Sequence, residues 1–183
     1  NNAGLSMRAL FNDLDLSVLK NLMDVNFWGT VYCTKYALPE ILKTQGSVIG
    51  VSSIAGYRGL PGRTGYSASK FAMNGFMESL RTELLKTGVH VMVACPGFTA
   101  SNIRVTALAK DGAAHGETSM EEGKMMTAEE VATRIVDGIA ARKRTLVMTG
   151  QGKLTVWINK LLPALADKLV FNHFTKEKNA LIK

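Results

Sequence analysis

The chain has 183 residues and a net charge of +7; 46% of the residues are hydrophobic and 20% are charged, which suits a globular protein with one sizeable core. Its two cysteines, Cys33 and Cys95, lie in apolar runs, so we expect buried, reduced thiols and neither a disulfide framework nor a metal site. No apolar run reaches transmembrane length and no secretory signal opens the chain, which favours a cytoplasmic protein.

Segments with helical spacing alternate along the chain with short, nearly continuous apolar runs, which are typical of buried parallel strands. Glycine and a capping-box pattern mark where two of the helices end or begin. In order, we predict a helix over 16–42, a strand over 47–52, a loop over 56–65, a helix over 66–86 closed by Gly88, a strand over 89–95, an irregular stretch over 98–126, a helix from the Thr127–Glu130 capping box to Arg142, and a strand over 145–149.

This alternation predicts a parallel sheet with helices on both faces. Three strands are few for a sheet of this class, so we expect one edge of it to be open. The asparagine-rich start, Asn1-Asn2-Ala3-Gly4, has no initiator methionine, and we expect the chain to be incomplete at its N-terminus.

The tail, residues 154–182, has apolar residues at helical spacing, with Pro163 at a point where a kink or a new turn is expected. Residues 142–183 hold nine Lys or Arg against Asp167 and Glu177, which equals the excess of the whole chain. The tail could be a solvated helix whose stripe joins the core or a subunit interface, a membrane-surface patch, or a site for an anionic partner. Its basic and aromatic residues do not interleave, so we expect no nucleic-acid partner.

Tyr66 and Lys70 are four residues apart at the start of a predicted helix, which places both side chains on one face. An ammonium near a phenol favours the phenolate and lowers its pKa, so the pair could exchange a proton with a carbonyl or alcohol oxygen. By itself the spacing also suits two residues on an exposed helix face.

Polar residues follow the first two predicted strands. Ser53 comes after the first, and Pro96-Gly97 and Thr99 come after the second. Because ligands bind at the carboxyl ends of parallel strands, we expect these residues near Tyr66. Ser53 could hold a substrate oxygen, or simply end its strand in a turn.

The segment VSSIAGYRGLPGRTGYSASKFAMNGF resembles the active-site segment of the short-chain dehydrogenase/reductase family. Asn2-Ala3-Gly4, Asn26 within MDVNFWGT, and the run from Pro96 to Ser101 also resemble motifs of that family, in the family's order. The likeness extends from Asn1 to about Thr149.

The resemblance implies a Rossmann-like, doubly wound α/β fold of which the chain carries the C-terminal half. Residues 1–150 would form the catalytic half, and residues 151–183 a basic, amphipathic helical extension of the same domain. It further implies an NAD(P)-dependent oxidoreductase that acts on an alcohol/carbonyl pair, with NAD or NADP as cofactor and no metal. The resemblance also implies homodimers or homotetramers, formed through the helix that carries Tyr66 and Lys70, with the final helix and strand as another interface.

The resemblance also implies a role for each matching residue. Tyr66 would be the general acid/base, Lys70 would lower its pKa and bind the nicotinamide ribose, Ser53 would orient the substrate oxygen, and the backbone carbonyl of Asn26 would hold a relay water. The remaining cofactor-binding residues would be Asn2, Ala3, Gly4, Pro96, Gly97 and Thr99. Phe98 would join Ser53 in binding substrate.

The sequence departs from the family in one respect: it contains no TGxxxGxG turn, which seats the pyrophosphate at a helix N-terminus. The alternative is therefore a catalytically incomplete fragment that acts as a scaffold or a peripheral membrane-surface module. The irregular stretch occupies the family's substrate loop, and its apolar residues suggest either a lid over a lipid-like or steroid-like substrate or plain packing. These residues are Phe98, Ile103, Leu108, Met120, Met125 and Met126.

Overall fold

A computed structural model describes residues 1–116, 125–177 and 179–183. Met120, predicted to be part of a lid, lies outside these residues. The regular elements are β1 (Ser47–Val51), β2 (His90–Cys95), β3 (Thr145–Val147), α1 (Leu16–Leu22), a π-helical segment (Met23–Trp28), α2 (Gly29–Thr44), α3 (Thr64–Glu83), α4 (Ala128–Ala140), α5 (Gly150–Leu161), α6 (Pro163–Phe174) and two short 3₁₀ turns (Phe11–Asp13 and Ile54–Gly56).

The three strands form one parallel sheet in the order β1-β2-β3. β2 is buried throughout, and its side chains alternate between two cores. Val91 and Val93 pack with Met77 of α3, whereas Met92 packs on the other face against Ile135 of α4. Helices therefore cover both faces, and the predicted α/β fold with its parallel sheet is confirmed.

The predicted helix over 16–42 is a continuous helical run of three parts, because the π-helical segment Met23–Trp28 separates α1 from α2. Such a segment carries an extra residue per turn and changes which backbone groups pair. Asn26 lies in it and is fully buried. No hydrophobic periodicity reveals this local change of pitch.

The predicted capping box before α4 is present. The Thr127 hydroxyl accepts a hydrogen bond from the Glu130 N–H (3.1 Å), and the Glu130 carboxylate accepts one from the Thr127 N–H (2.9 Å). The helix that carries Tyr66 and Lys70 starts two residues earlier than predicted, at Thr64.

The tail forms two helices that meet at Pro163, where a kink or a new turn is predicted, and Pro163 takes the first position of α6. Within the described residues, no helix is both long enough and apolar enough to cross a membrane.

The expectation of two buried cysteines is half right. Cys95 is buried at the end of β2, and burial raises the pKa of its thiol to about 12. Cys33 is exposed, because it lies on the outer side of α2 while its neighbour Thr34 faces inward. Because α2 is apolar on more than one side, its sequence pattern does not indicate which residues face the core.

Candidate functional site

The site lies where β1 and β2 end, at the N-terminal end of α3. Ser53 follows β1 and caps the 3₁₀ turn Ile54–Gly56, since its hydroxyl accepts a hydrogen bond from the Ala55 N–H (3.1 Å). Tyr66 lies in the first turn of α3, and its side chain lies close enough to that of Ser53 for the serine to lower the pKa of the phenol. Two residues far apart in the sequence thus meet at the edge of the sheet where ligands bind in this fold class.

Lys70 lies one turn beyond Tyr66 and is buried, with 3% of its surface exposed. Its ammonium donates to the Val51 carbonyl at the end of β1 (2.9 Å) and lies 5.8 Å from the centre of the Tyr66 ring. The helix spacing and the strand end together hold the cation beside the phenol.

The protonation of the pair differs from the sequence-based expectation. Burial raises the pKa of Tyr66, although the Ser53 side chain and the charge of Arg63 act in the opposite direction. Burial also lowers the pKa of Lys70 to about 8. The lowered pKa expected for Tyr66 is therefore not found, because desolvation of the phenolate outweighs the groups that stabilise it. At neutral pH Tyr66 is a neutral phenol beside a cationic Lys70.

Asn26 connects the N-terminal segment to the site. Its side-chain carbonyl accepts from the Leu5 N–H (2.7 Å), and its amide donates to the Leu5 carbonyl (2.9 Å) and to the Ser69 hydroxyl (2.9 Å). Ser69 in turn donates to the Tyr66 carbonyl (2.8 Å). The Asn26 backbone carbonyl, expected to hold a water, accepts a hydrogen bond from the Thr30 hydroxyl (3.0 Å).

Within the Asn2-Ala3-Gly4 motif, the structure brings only the glycine against the site. A side-chain carbon at position 4 would lie 3.3 Å from the Asn26 side-chain oxygen and 3.5 Å from the Lys70 ammonium. Asn2 and Ala3 are exposed. Gly4 therefore allows the backbone to pass close to both polar groups.

The segment after β2 is held by local contacts. Pro96 and Gly97 are half-buried, and a side-chain carbon at Gly97 would collide with the Thr149 side chain, so close packing by itself calls for glycine here. The Thr99 hydroxyl donates to the Gly97 carbonyl (3.1 Å). Phe98 is 50% exposed.

Three of the residues suggested as a lid differ in their surroundings. Leu108 packs beside Met7, and Met126 packs against the core formed by Met92 and Ala94. These two follow the packing alternative, whereas Phe98 remains available to a ligand.

Sequence reasoning missed Arg63, which precedes α3. Its guanidinium lies 5.1 Å from the centre of the Phe174 ring and 3.9 Å from the Glu177 carboxylate, and its charge lowers the pKa of Tyr66. Glu177 is also bonded by Arg8 (2.9 Å). The end of the tail thus touches the loop that leads into Tyr66, a contact across more than a hundred residues that no local pattern signals.

Comparison with known proteins now adds to this geometry. The sequence model described as short chain dehydrogenase matches residues 1–112. The chain belongs to the short-chain dehydrogenase/reductase family.

Particular relatives sharpen the comparison. Dehydrogenase/reductase SDR family member 7B of Mus musculus is 32% identical over 182 residues, or 98% of this chain and 56% of that protein. The Xenopus laevis protein of the same name is 35% identical over 167 residues, or 90% of this chain and 52% of that protein. The chain spans about half the length of the curated relatives that it matches.

Two solved structures confirm the fold. A short-chain dehydrogenase from Streptomyces avermitilis has a TM-score of 0.74 at 21% identity, covering 96% of this chain and 69% of that one. A short-chain dehydrogenase from Burkholderia cenocepacia J2315, crystallised with NADP, has a TM-score of 0.72 at 23% identity, covering 92% of this chain and 66% of that one.

Proposed function

We propose that the protein interconverts an alcohol and a carbonyl compound with NAD or NADP as cofactor. The observation that carries this proposal is the meeting of Ser53, Tyr66 and Lys70 at the carboxyl end of β1. Membership of the family and the NADP held by the Burkholderia cenocepacia structure support the choice of cofactor.

The residues present fit the nicotinamide–ribose half of such a cofactor. The Lys70 ammonium has three donors, of which Val51 accepts one, and donors of this kind suit ribose hydroxyls. Gly4 leaves space beside that ammonium, because a larger residue would crowd it. Asn2 and Ala3 beside Gly4, and Pro96, Gly97 and Thr99 after β2, complete the proposed set. The sequence has no Gly-rich turn, so the proposal assigns the pyrophosphate to no residue of it.

When bound, the nicotinamide supplies or accepts the hydride. Tyr66, a neutral phenol at neutral pH, gives its proton to the carbonyl oxygen or recovers it from the alcohol. The Lys70 cation stabilises the phenolate that remains. The Ser53 hydroxyl hydrogen-bonds the substrate oxygen. The Asn26 backbone carbonyl would hold the water that returns the proton, beside the bond that it accepts from the Thr30 hydroxyl.

An apolar alcohol or carbonyl compound suits the half-exposed Phe98.

Homodimers or homotetramers suit the outer side of α2 and α3, where Tyr32 is 56% exposed and Phe71 45% exposed. Phe71→Glu should reduce the mass seen by light scattering, and an unchanged mass would argue against that interface.

Tyr66→Phe tests the proposal in the full-length protein. The change removes only the hydroxyl, so turnover should fall by about 10²–10⁴-fold while cofactor binding, followed by fluorescence, persists. Tyr57→Phe is the matched control, since Tyr57 is also partly buried and lies in the loop before α3. Turnover retained by Tyr66→Phe would refute the assignment.

A further inference from the structure

The tail carries a row of apolar side chains on its outer side. On α5, Leu154, Trp157 and Leu161 follow one another at intervals of three and four residues, and Leu165 and Leu169 continue the row on α6. Their exposed fractions run from 44% to 57%, so each presents about half of its surface to solvent. We call these five residues the apolar stripe.

Contacts on the opposite side of the same helices fix the outward direction of the stripe. Gly152 lies against Ile54, where a side-chain carbon would come within 2.7 Å. The Asn159 amide donates to the Tyr57 carbonyl (2.9 Å), and Arg58 donates to the Asn159 side chain (3.0 Å). α6 is attached likewise, since Ala166 is buried and the Asp167 carboxylate accepts from Arg58 (2.6 Å). Turning the stripe inward would break these bonds.

Lysines run beside the stripe. Lys153 and Lys160 each precede a leucine of the stripe by one residue, and Lys168 lies between the two leucines of α6. All three are exposed, and within the described part of the chain none has an ion-pair partner. The two acidic residues of the tail are neutralised by arginines of the body, Asp167 by Arg58 and Glu177 by Arg8. The outer side of the tail is therefore apolar and positively charged.

Charge decides between the possible occupants of this surface. A second copy placed stripe against stripe would bring lysines of equal charge together, which disfavours self-association. An anionic bilayer supplies what the surface lacks, an apolar layer for leucine and tryptophan and acidic headgroups for lysine. Lysine stems can lie along the apolar layer while their ammonium groups reach the headgroups.

We propose that α5 and α6 dock the protein on the surface of a membrane that contains acidic phospholipid, with the apolar stripe in the interface and Lys153, Lys160 and Lys168 at the headgroups. In this arrangement the two helices lie along the surface of the bilayer. This inference does not depend on the reaction at Tyr66.

Vesicle sedimentation of the chain tests the proposal. We expect it to pellet with mixed phosphatidylcholine–phosphatidylserine vesicles and much less with phosphatidylcholine alone. The triple variant Lys153→Ala, Lys160→Ala, Lys168→Ala should lose about a hundredfold in affinity for the mixed vesicles. Trp157→Gln with Leu161→Gln should lose binding to both kinds of vesicle.

Control variants remove the same number of lysines, or an exposed leucine, elsewhere. Lys20→Ala, Lys35→Ala, Lys43→Ala alters three exposed lysines, and Leu85→Gln alters a leucine that is 76% exposed. Both controls should bind like the wild type. Equal binding by the stripe variants and the controls would overturn the proposal.

Tryptophan fluorescence gives a second readout. The chain has two tryptophans, so Trp28→Phe leaves Trp157 as the only reporter. Its emission should shift to the blue when mixed vesicles are added. An unshifted spectrum would mean that Trp157 stays in water when vesicles are present. A dimer in sedimentation equilibrium that Trp157→Gln dissociates would mean that a second copy of the chain covers the stripe. Either result would overturn the proposal.

Discussion

The active-site region and the outer side of the tail depart from the usual distribution of side chains in opposite ways. At the site a lysine and an asparagine are buried, with 3% and 0% of their surfaces exposed. On the tail a tryptophan and four leucines are about half exposed. Each arrangement costs free energy if nothing compensates it, and the compensation differs.

At the site the compensation lies within the chain. Lys70 donates to Val51, and Asn26 forms hydrogen bonds with Leu5 and Ser69. The apolar stripe has no such cover among the described residues, and the proposed membrane surface would supply it. Substitutions at the site should therefore change stability as well as chemistry, whereas substitutions in the stripe should change stability little and mainly alter what the surface binds.

Lys70→Met should produce the largest effect on stability as a function of pH. The pKa of Lys70 is about 8 in the folded chain against 10.5 as its ordinary value, so between these values the unfolded chain binds more protons. The free energy of unfolding of the wild type should thus rise with pH across this window, by about 3 kcal/mol relative to Lys70→Met.

Urea unfolding from pH 7 to 11 measures this difference. Lys86→Met, at an exposed lysine, should follow the wild type. Parallel curves for the wild type and Lys70→Met would show that burial of the ammonium does not control stability. In the full-length protein Lys70→Ala should also weaken dinucleotide binding, and unchanged affinity would contradict the proposed ribose contact.

Asn26→Ala should cost about 2–4 kcal/mol, because it leaves both the N–H and the carbonyl of Leu5 without their partner. Asn21→Ala is the matched control, since Asn21 is exposed on the neighbouring α1. Chemical denaturation should separate the two variants. Equal stability of the two variants would mean that water replaces the Asn26 amide as the partner of Leu5. Asn26 would then not fix the N-terminal segment in place.

Arg63→Met should raise the pKa of Tyr66 further, because the guanidinium charge lowers it. Ultraviolet titration of the phenols, or the pH profile of turnover in the full-length protein, would record the shift. Lys35→Met also removes one positive charge, but from an exposed position on α2, and should leave the titration unchanged. An unshifted titration in Arg63→Met would mean that neither Arg63 nor the tail residues in contact with it influence the pKa of Tyr66.

The sequence allowed part of this picture to be predicted. Strand positions and the Thr127–Glu130 capping box follow from local patterns, and the structure agrees with them. The meeting of Ser53 with Tyr66 follows from two strand and helix ends that a parallel sheet brings to one edge. The catalytic roles themselves remain predictions.

Other features have no local signal. The π-helical segment around Asn26 and the exposure of Cys33 depend on how a helix is turned against its neighbours. The contacts of Arg63 with Phe174 and Glu177 join distant parts of the chain. The pKa of Tyr66 was predicted in the wrong direction, because spacing reveals the nearby cation but not the depth of burial.

The smallest expected effect concerns the stripe. Leu165 is 44% exposed and Phe174, on the same helix, only 8% exposed. Leu165→Ala should therefore cost about 0.5–1 kcal/mol, since much of the leucine surface is already in water, whereas Phe174→Ala should cost about 3–5 kcal/mol. Denaturant unfolding of the two variants without lipid measures the difference. A loss at Leu165 as large as that at Phe174 would mean that the stripe is part of the core, and its exposure would no longer indicate an outside partner. If the small loss is found, a defect of Leu165→Ala in vesicle binding cannot be attributed to unfolding. The fold then does not depend on the stripe for its stability, and the stripe is available for binding.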